Sequence, residues 1–387
     1  MSRSWAVGLV AALLGAPMAM GDSRIGSKGQ VFVEGNAVIP LAVWVQPQYL
    51  FEYHRQLGMN CIIAPTRERA EFRLAHASPL AAATATGLGV VGSPRRGQQA
   101  SRCMWGYNVA VARPGSMDRL KRSIQWARQR DPNRFVMFNI DIHEFLEGQS
   151  PEFFAEALKH TDAVISHVWP EVRDPNRPNI RNVATFVDLV RKHCKDRPGG
   201  EVSIWPDINP HRWHRKNSEG GTWYPSPSRA ELRFQIWLAL IHGADGVCFF
   251  PISFDPFVYA QIPAQNEAEL AWNSKLIRRM TPALTADESP LKIEVSSDRK
   301  DGIVDTTTRQ IGGKHYVFVL NGQREPQTMT LKVDGLGTKW QVRDAVEDKA
   351  VAASGGVLKV RLDGLALRIW ELRPAPKPVS LKATARE

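Results

Sequence analysis

Residues 228–254 read SRAELRFQIWLALIHGADGVCFFPISF, and the parsing of that stretch decides the fold. Ser228 suits a helix N-cap, and a helical pattern then runs to His242. Gly243 and Gly246 break it, and the apolar run Val247–Phe250 follows before Pro251. A run that short, between glycine and proline, is a strand rather than a helix. A capped helix delivering the chain into a buried strand is half of a β–α–β unit, whose strands pair in parallel.

The same unit recurs outward from there. Strand-like runs stand at Val38–Val45, Asn60–Ala64, Gly87–Val91, Met104–Val109, Phe135–Ile140, Ala163–Val168, Val202–Trp205 and Val247–Phe250. The clearest helical patterns are Pro47–Leu57, Met117–Arg130, Pro151–Lys159, Asn182–Cys194 and Ser228–His242. Eight strand–helix units in about 250 residues are the count of an α/β (β/α)8 TIM barrel. A doubly wound open sheet would want a glycine-rich phosphate loop after its first strand, and none is there. After about Asp287 the pattern changes: KIEVS, HYVFVLNG, TMTLKVDG, KWQVRDA, VLKVRLDG and LALRIWEL, separated by glycine turns, carry no helical period. That is a small antiparallel β-sandwich domain. The expected organisation is a leader over 1–21, the barrel over 22–288, the β-sandwich over 289–373 and a disordered tail over 374–387.

Composition agrees. The 387 residues are 43% hydrophobic and 23% charged, which supplies large cores and excludes a disordered chain. In Met1–Gly21, Arg3 precedes an apolar run from Trp5 to Leu14, a Gly15-Ala16-Pro17 break and the small residues around Ala19 and Gly21. This reads as a cleaved signal peptide, and no later run is long enough to span a bilayer. The expected location is secreted or periplasmic, with no membrane contact after cleavage. Four cysteines are too few for a disulfide scaffold, and Cys61, Cys103 and Cys248 sit in apolar runs as buried thiols. The net charge of +11 is dispersed along the chain. It reads as a basic surface, and no motif supports a nucleic-acid partner.

In such a barrel the chemistry stands at the C-terminal ends of the strands. Those positions hold Trp44 and Gln46 after strand one, Arg67 after strand two, and Asn108 and Arg113 at strand four. Strand five supplies Asn139, Asp141, His143 and Glu144; strand six His167, Trp169 and Glu171; strand seven Trp205 and Asp207; strand eight Ser253 and Asp255. With side chains alternating in a strand, Asn139, Asp141 and His143 share one face and Val136, Phe138 and Ile140 the other. The apolar face meets the helices, so the polar face points into the mouth. Carboxylates at neighbouring strand ends beside indoles suit hydrolysis of a sugar linkage, where one carboxyl protonates the leaving oxygen and another attacks or activates water. The long segment Pro206–Pro227 adds His211, Trp213, His214, Trp223 and Tyr224 as a candidate substrate wall. His211 and His214 with Asp207 would make a metal cluster only on a His-x-x-His spacing, which is weak alone, and surface histidines of a polar loop explain them better. No metal and no cofactor are expected.

Three stretches resemble secreted bacterial glycoside-hydrolase barrels related to the large clan of retaining glycosidases. GQVFVEGNAVIPLAVWV is similar to their opening hairpin, PSPSRAELRFQIWLALIHGADGVCFFPISF to their seventh helix and eighth strand, and YVFVLNGQREPQTMTLKV to the first hairpin of their β domain. The resemblance implies an acid/base glutamate at the end of strand four and a nucleophile at strand seven. Here no carboxylate stands between Cys103 and Gly115, where Asn108 and Arg113-Pro114 are found, and strand seven carries Asp207. Two readings stay open. One is a hydrolase of a poly- or oligosaccharide using Asp207, Glu171 and Asp141, with Glu144 and Asp255 in reserve. The other is a barrel that binds glycans without cleaving them, Arg113 favouring an anionic sugar. In both, Trp44, Asn108, Arg113, His143, His167, Trp169, Trp205, Trp213, Trp223 and Tyr224 are the candidate carbohydrate-binding residues.

Overall fold

The computed structural model describes residues 22–64, 78–93, 101–112, 115–140, 151–168, 179–195, 197–215, 222–254, 257–259, 262–353 and 356–375. Eight parallel strands close into a barrel: β1 Leu41–Trp44, β2 Cys61–Ile63, β3 Gly89–Gly92, β4 Met104–Ala112, β5 Phe135–Ile140, β6 Ala163–Val168, β7 Ser203–Ile208 and β8 Val247–Phe249. The ring closes where β8 pairs with β1 on one side and β7 on the other. The described α-helices are α1 Phe51–Gln56, α2 Pro79–Thr86, α3 Met117–Arg130, α4 Pro151–His160, α5 Asn182–Cys194, α6 Arg229–Ile241 and α7 Ala264–Leu284. The short link from Gly92 to Met104 carries no helix among the described residues, so the expected eight strand–helix units are eight strands with seven described helices.

The local signals behave as their chemistry requires. Ser228 accepts from the Glu231 N–H while the Glu231 carboxylate accepts from the Ser228 N–H, closing a capping box at α6. Ser116 precedes α3 without a side-chain cap bond. The run read as Val38–Val45 splits: Asn36–Val38 turns back into an antiparallel sheet, and only Leu41–Trp44 enters the barrel. Strand β7 runs past Trp205 through Pro206 to Ile208. Proline lacks an N–H, and the β8 ladder begins only after it, at Asp207.

Strand alternation sends side chains to two cores. Val136, Phe138 and Ile140 face the helices, where they join Leu120, Ile124 and Phe154. Phe135, Met137, Trp105, Ile63, Cys248 and Trp205 fill the barrel. Gly89 makes room there: a Cβ on it would lie 2.1 Å from the Trp105 ring. All four cysteines are free and buried. The sheet Ser23–Ile25, Val31–Val33 and Asn36–Val38 closes the end at which the strands begin, its Ile25, Val31 and Val33 packing onto the interior cluster. The opposite end is left as the mouth.

The C-terminal region is two antiparallel sheets. Its strands are β9 Ile293–Ser297, β10 Val304–Ile311, β11 Lys314–Asn321, β12 Gln327–Val333, β13 Trp340–Asp344, β14 Lys349–Val351, β15 Val357–Leu362 and β16 Leu367–Pro374. One sheet runs β10-β11-β16-β13-β14, with Asp287–Glu288 on its edge, and the other β9-β12-β15. Trp370 is fully enclosed between them and Trp340 packs against the same core. Trp237 of α6 stacks on Phe318 at 6.2 Å. Asp305 receives two bonds of 2.7 Å from Arg181 and one of 3.1 Å from His242. Apolar stacking and a charged clasp thus fasten the sandwich to the barrel flank.

Candidate functional site

The strands β1–β8 carry a single acidic residue, Asp207, and a single histidine, His167. Register brings them side by side, since Asp207 on β7 pairs with His167 on β6. The His167 Nδ1 and Asp207 Oδ2 are in hydrogen-bond contact. On the other side of the ring, Nε2 lies 3.0 Å from Asn139 Nδ2. Trp44 meets the imidazole edge-on with ring centroids 5.5 Å apart, and Phe250 does so at 5.3 Å. Four strand ends therefore converge on one imidazole.

The two partners differ in access. The Asp207 side chain is 0% exposed and that of His167 27%. Burial pushes the Asp207 carboxyl above the ordinary carboxylate range, opposed by the attraction of His167 and by the Cys248 thiol beside it. A carboxylate in this position orients the ring in front of it. To reach a sugar carbon itself, Asp207 would need His167 to move aside. Asn139 can serve the imidazole in both protonation states. Its NH2 donates to a neutral Nε2, and with the amide turned over its oxygen accepts from Nε2–H.

Three side-chain acceptors around this cluster are sealed from solvent with no N–H or O–H donor opposite them: Asn108 Oδ1 on β4, Asn139 Oδ1 on β5 and Asp207 Oδ1 on β7. Leaving such an acceptor unmatched costs about 1–3 kcal/mol. Backbone strain gathers at the same end. Val45 and Ala64, each following a strand, hold φ of 52° and 48°, a region that penalises a β-branched residue most. Both keep their place through ladder bonds, Val45 N–H to Ile63 O and Ala64 N–H to Val91 O, each 2.8 Å.

Gln46 fixes the first strand end. Its Nε2 donates to the Trp44 carbonyl at 3.0 Å, and its Oε1 accepts from His54 Nε2 at 2.9 Å. Burial pushes His54 down to about 3, so it is neutral and carries one ring proton. His211 is buried as well, its pKa lowered to about 4 by burial. Asn209 donates to the His211 carbonyl at 2.8 Å, and Asn266 of α7 donates to Pro210 O and Pro227 O. These bonds anchor both feet of the long β7 segment, whose strands Trp213–Arg215 and Thr222–Tyr224 pair as a hairpin.

The sequence-derived candidates distribute as follows. Trp44, His167 and Asp207 meet at the mouth, and Asn108 stands on β4 with its Oδ1 sealed. Trp205 lies inside the barrel, fully enclosed, its indole N–H on Ser203 Oγ at 2.8 Å and its ring edge-on to Phe135; it is packed beneath the mouth, out of a ligand's reach. Trp213 pairs with Tyr224 in the hairpin and Trp223 with His214, with Tyr224 half-buried. Asp141, His143, Glu144, Trp169, Glu171, Arg113, Arg67 and Asp255 lie outside the described residues. Phe250 escaped attention because it reads as one more apolar residue of a strand. Among the described residues no three of His, Cys, Asp and Glu stand close enough to hold a metal ion.

No family model matches the chain, and no curated protein matches it in sequence. Solved structures do. A GH27 β-L-arabinopyranosidase from Geobacillus stearothermophilus, in complex with arabinose, superposes with a TM-score of 0.50 at 12% identity, covering 87% of this chain and 97% of that one. A putative α-galactosidase/melibiase from Bacteroides fragilis superposes with a TM-score of 0.50 at 14% identity, covering 87% and 79%. The shared fold is a parallel eight-stranded barrel followed by a β domain. In this barrel the described residues of β4 offer Asn108 and no carboxylate, and β7 offers Asp207.

Proposed function

We propose that the protein acts on a glycan at the barrel mouth and hydrolyses a glycosidic bond there. The observation that carries this reading is the His167–Asp207 pair, an accessible imidazole backed by a sealed carboxylate, walled by Trp44 and Phe250. His167 delivers its Nε2 proton to the glycosidic oxygen, which takes the place of Asn139 as partner of that nitrogen, while Asp207 stabilises the imidazolium beforehand. The C–O bond breaks as a carboxylate that follows β5 or β6 in the sequence, Asp141 or Glu171, attacks the anomeric carbon or takes a proton from the attacking water. The donor-poor ends of β4, β5 and β7 suit a ligand rich in hydroxyls. The leader-like Met1–Gly21 supports action outside the cytoplasm, and among the described residues no helix is long and apolar enough to cross a membrane.

A second reading has its own observation: Asp207 is wholly enclosed, which favours binding without cleavage. One experiment separates them. The purified chain is screened against neutral, uronic and sulfated glycans, with reducing-end release and binding recorded together for wild type, Asp207→Asn and His167→Gln. Release that is lost in both variants supports the hydrolase. Binding without release, weakened in both variants, supports the second reading. Release or binding that is indifferent to both substitutions removes the mouth from the function.

A further inference from the structure

Helix α3 buries Leu120, Ile124 and Ala127 and pairs Lys121 with Glu156 at 2.8 Å and Arg128 with Asp162 at 2.9 Å. Its outer face is different. Arg119, Arg122, Trp126 and Arg130 recur at intervals of three and four residues, which places them on one stripe. Arg119, Arg122 and Trp126 are exposed, and among the described residues none of the three arginines has a carboxylate partner. The Arg130 guanidinium stands 4.0 Å over the Trp126 ring, which pins an indole that is 36% exposed. Asp118, in the first turn, is the helix's only acidic residue.

Topology gives the stripe a direction. Because β4 ends at the mouth, the helix that follows starts near the rim and runs down the barrel flank, so the stripe leads away from the mouth over about 16 Å. Guanidinium forks match carboxylate and sulfate, and an indole face stacks on a sugar ring.

We propose that the Arg119–Arg122–Trp126–Arg130 stripe is a surface site for an anionic glycan, carboxylated or sulfated, holding a chain that continues from the mouth. The choice of a glycan as occupant rests on the mouth acting on glycans; the anionic character rests on the stripe alone. The probes are polygalacturonate for carboxylate, dextran sulfate for sulfate and unmodified dextran as the neutral control, with the full chain in each case. Wild type is expected to bind at least one polyanion and not dextran, in a salt-sensitive way. Arg119→Gln/Arg122→Gln/Arg130→Gln should weaken that binding about tenfold or more, which is about 1.4 kcal/mol, and Trp126→Ala should weaken it too. The polymer that loses more identifies the anion. All four side chains are at the surface, and a thermal melt checks that the variants fold. His167→Gln should leave stripe binding intact, so failure of the mouth reading and failure of the stripe are separable. Equal binding by wild type and the triple variant, no binding of either polyanion, or a loss confined to phosphatidylserine vesicles would overturn the proposal.

Discussion

Replacing Asp207 by Asn should barely change stability while replacing His167 by Ala should cost several kcal/mol, although the two residues share one hydrogen bond. The asymmetry follows from exposure. Asp207→Asn removes a sealed carboxylate and leaves an imidazole with 27% of its surface in water. The loss is one charge-assisted bond, about 1.5–3 kcal/mol, and the gain is relief from burying the charge, of the same order. The net is about zero, within about 1 kcal/mol. His167→Ala leaves the carboxylate sealed and unpaired, costing about 3–5 kcal/mol, unless Asp207 takes up a proton. The linkage sign follows from its raised pKa: the folded chain holds the Asp207 proton more tightly than the unfolded one. Wild-type stability from this group therefore falls as pH rises from about the ordinary 3.8 through the raised value. Asp207→Asn should lack that decline. Urea unfolding of both variants at pH 5 and pH 7 measures it, with ring 15N shifts reporting the His167 tautomer. A loss above about 3 kcal/mol in Asp207→Asn would refute the reasoning, because it would make the pair a structural ion pair.

Other outcomes follow from the packing and the clasp. Gly89→Ala should destabilise by about 1–3 kcal/mol, because its Cβ would meet the Trp105 ring at 2.1 Å; pairing it with Trp105→Phe should recover part of the loss in a thermal melt. The clasp between barrel and sandwich should be pH-dependent. Burial opposes charge on His242, but its bonds to Asp305 and Asp188 outweigh that and raise its pKa. Its contribution is complete below the ordinary 6.5 and is lost as pH rises through the raised value. Asp305, lowered despite burial by Arg181 and His242, contributes above about 3.8 and is lost as pH falls through its lowered value. Asp305→Asn should flatten both limbs of a melting-temperature profile, and an unchanged profile would exclude the clasp as their source.

The barrel was legible because each unit states itself locally: a cap, a helical period, a glycine turn and a short apolar run, as in 228–250. The alternation in β5 was legible for the same reason. Faces are periodic, but depth is not. Trp205 reads like a rim residue, and only closure of the ring makes it interior. The start of β1 differs because Val38–Val45 is continuously apolar enough for one strand, while Ile39 and Pro40 stand between the antiparallel strand and the barrel strand. At the site, the residues of the His167–Asp207 contact were named from the strand-end rule, but the division of access between them depends on neighbours from β1, β5 and β8. Gln46, which bonds the Trp44 carbonyl, was named from the strand-end rule, but its buried partner His54 carries no sequence signal beyond its polarity.

The most direct test of a glycan-acting mouth is the pH dependence of kcat/KM for reducing-end release, measured on the glycan that wild type processes fastest, for wild type and His167→Gln. If His167 supplies the proton, wild type loses activity on an alkaline limb, and His167→Gln falls by about 10²–10⁴ and loses that limb. A His167→Gln variant that folds and keeps the wild-type rate and profile would contradict the account.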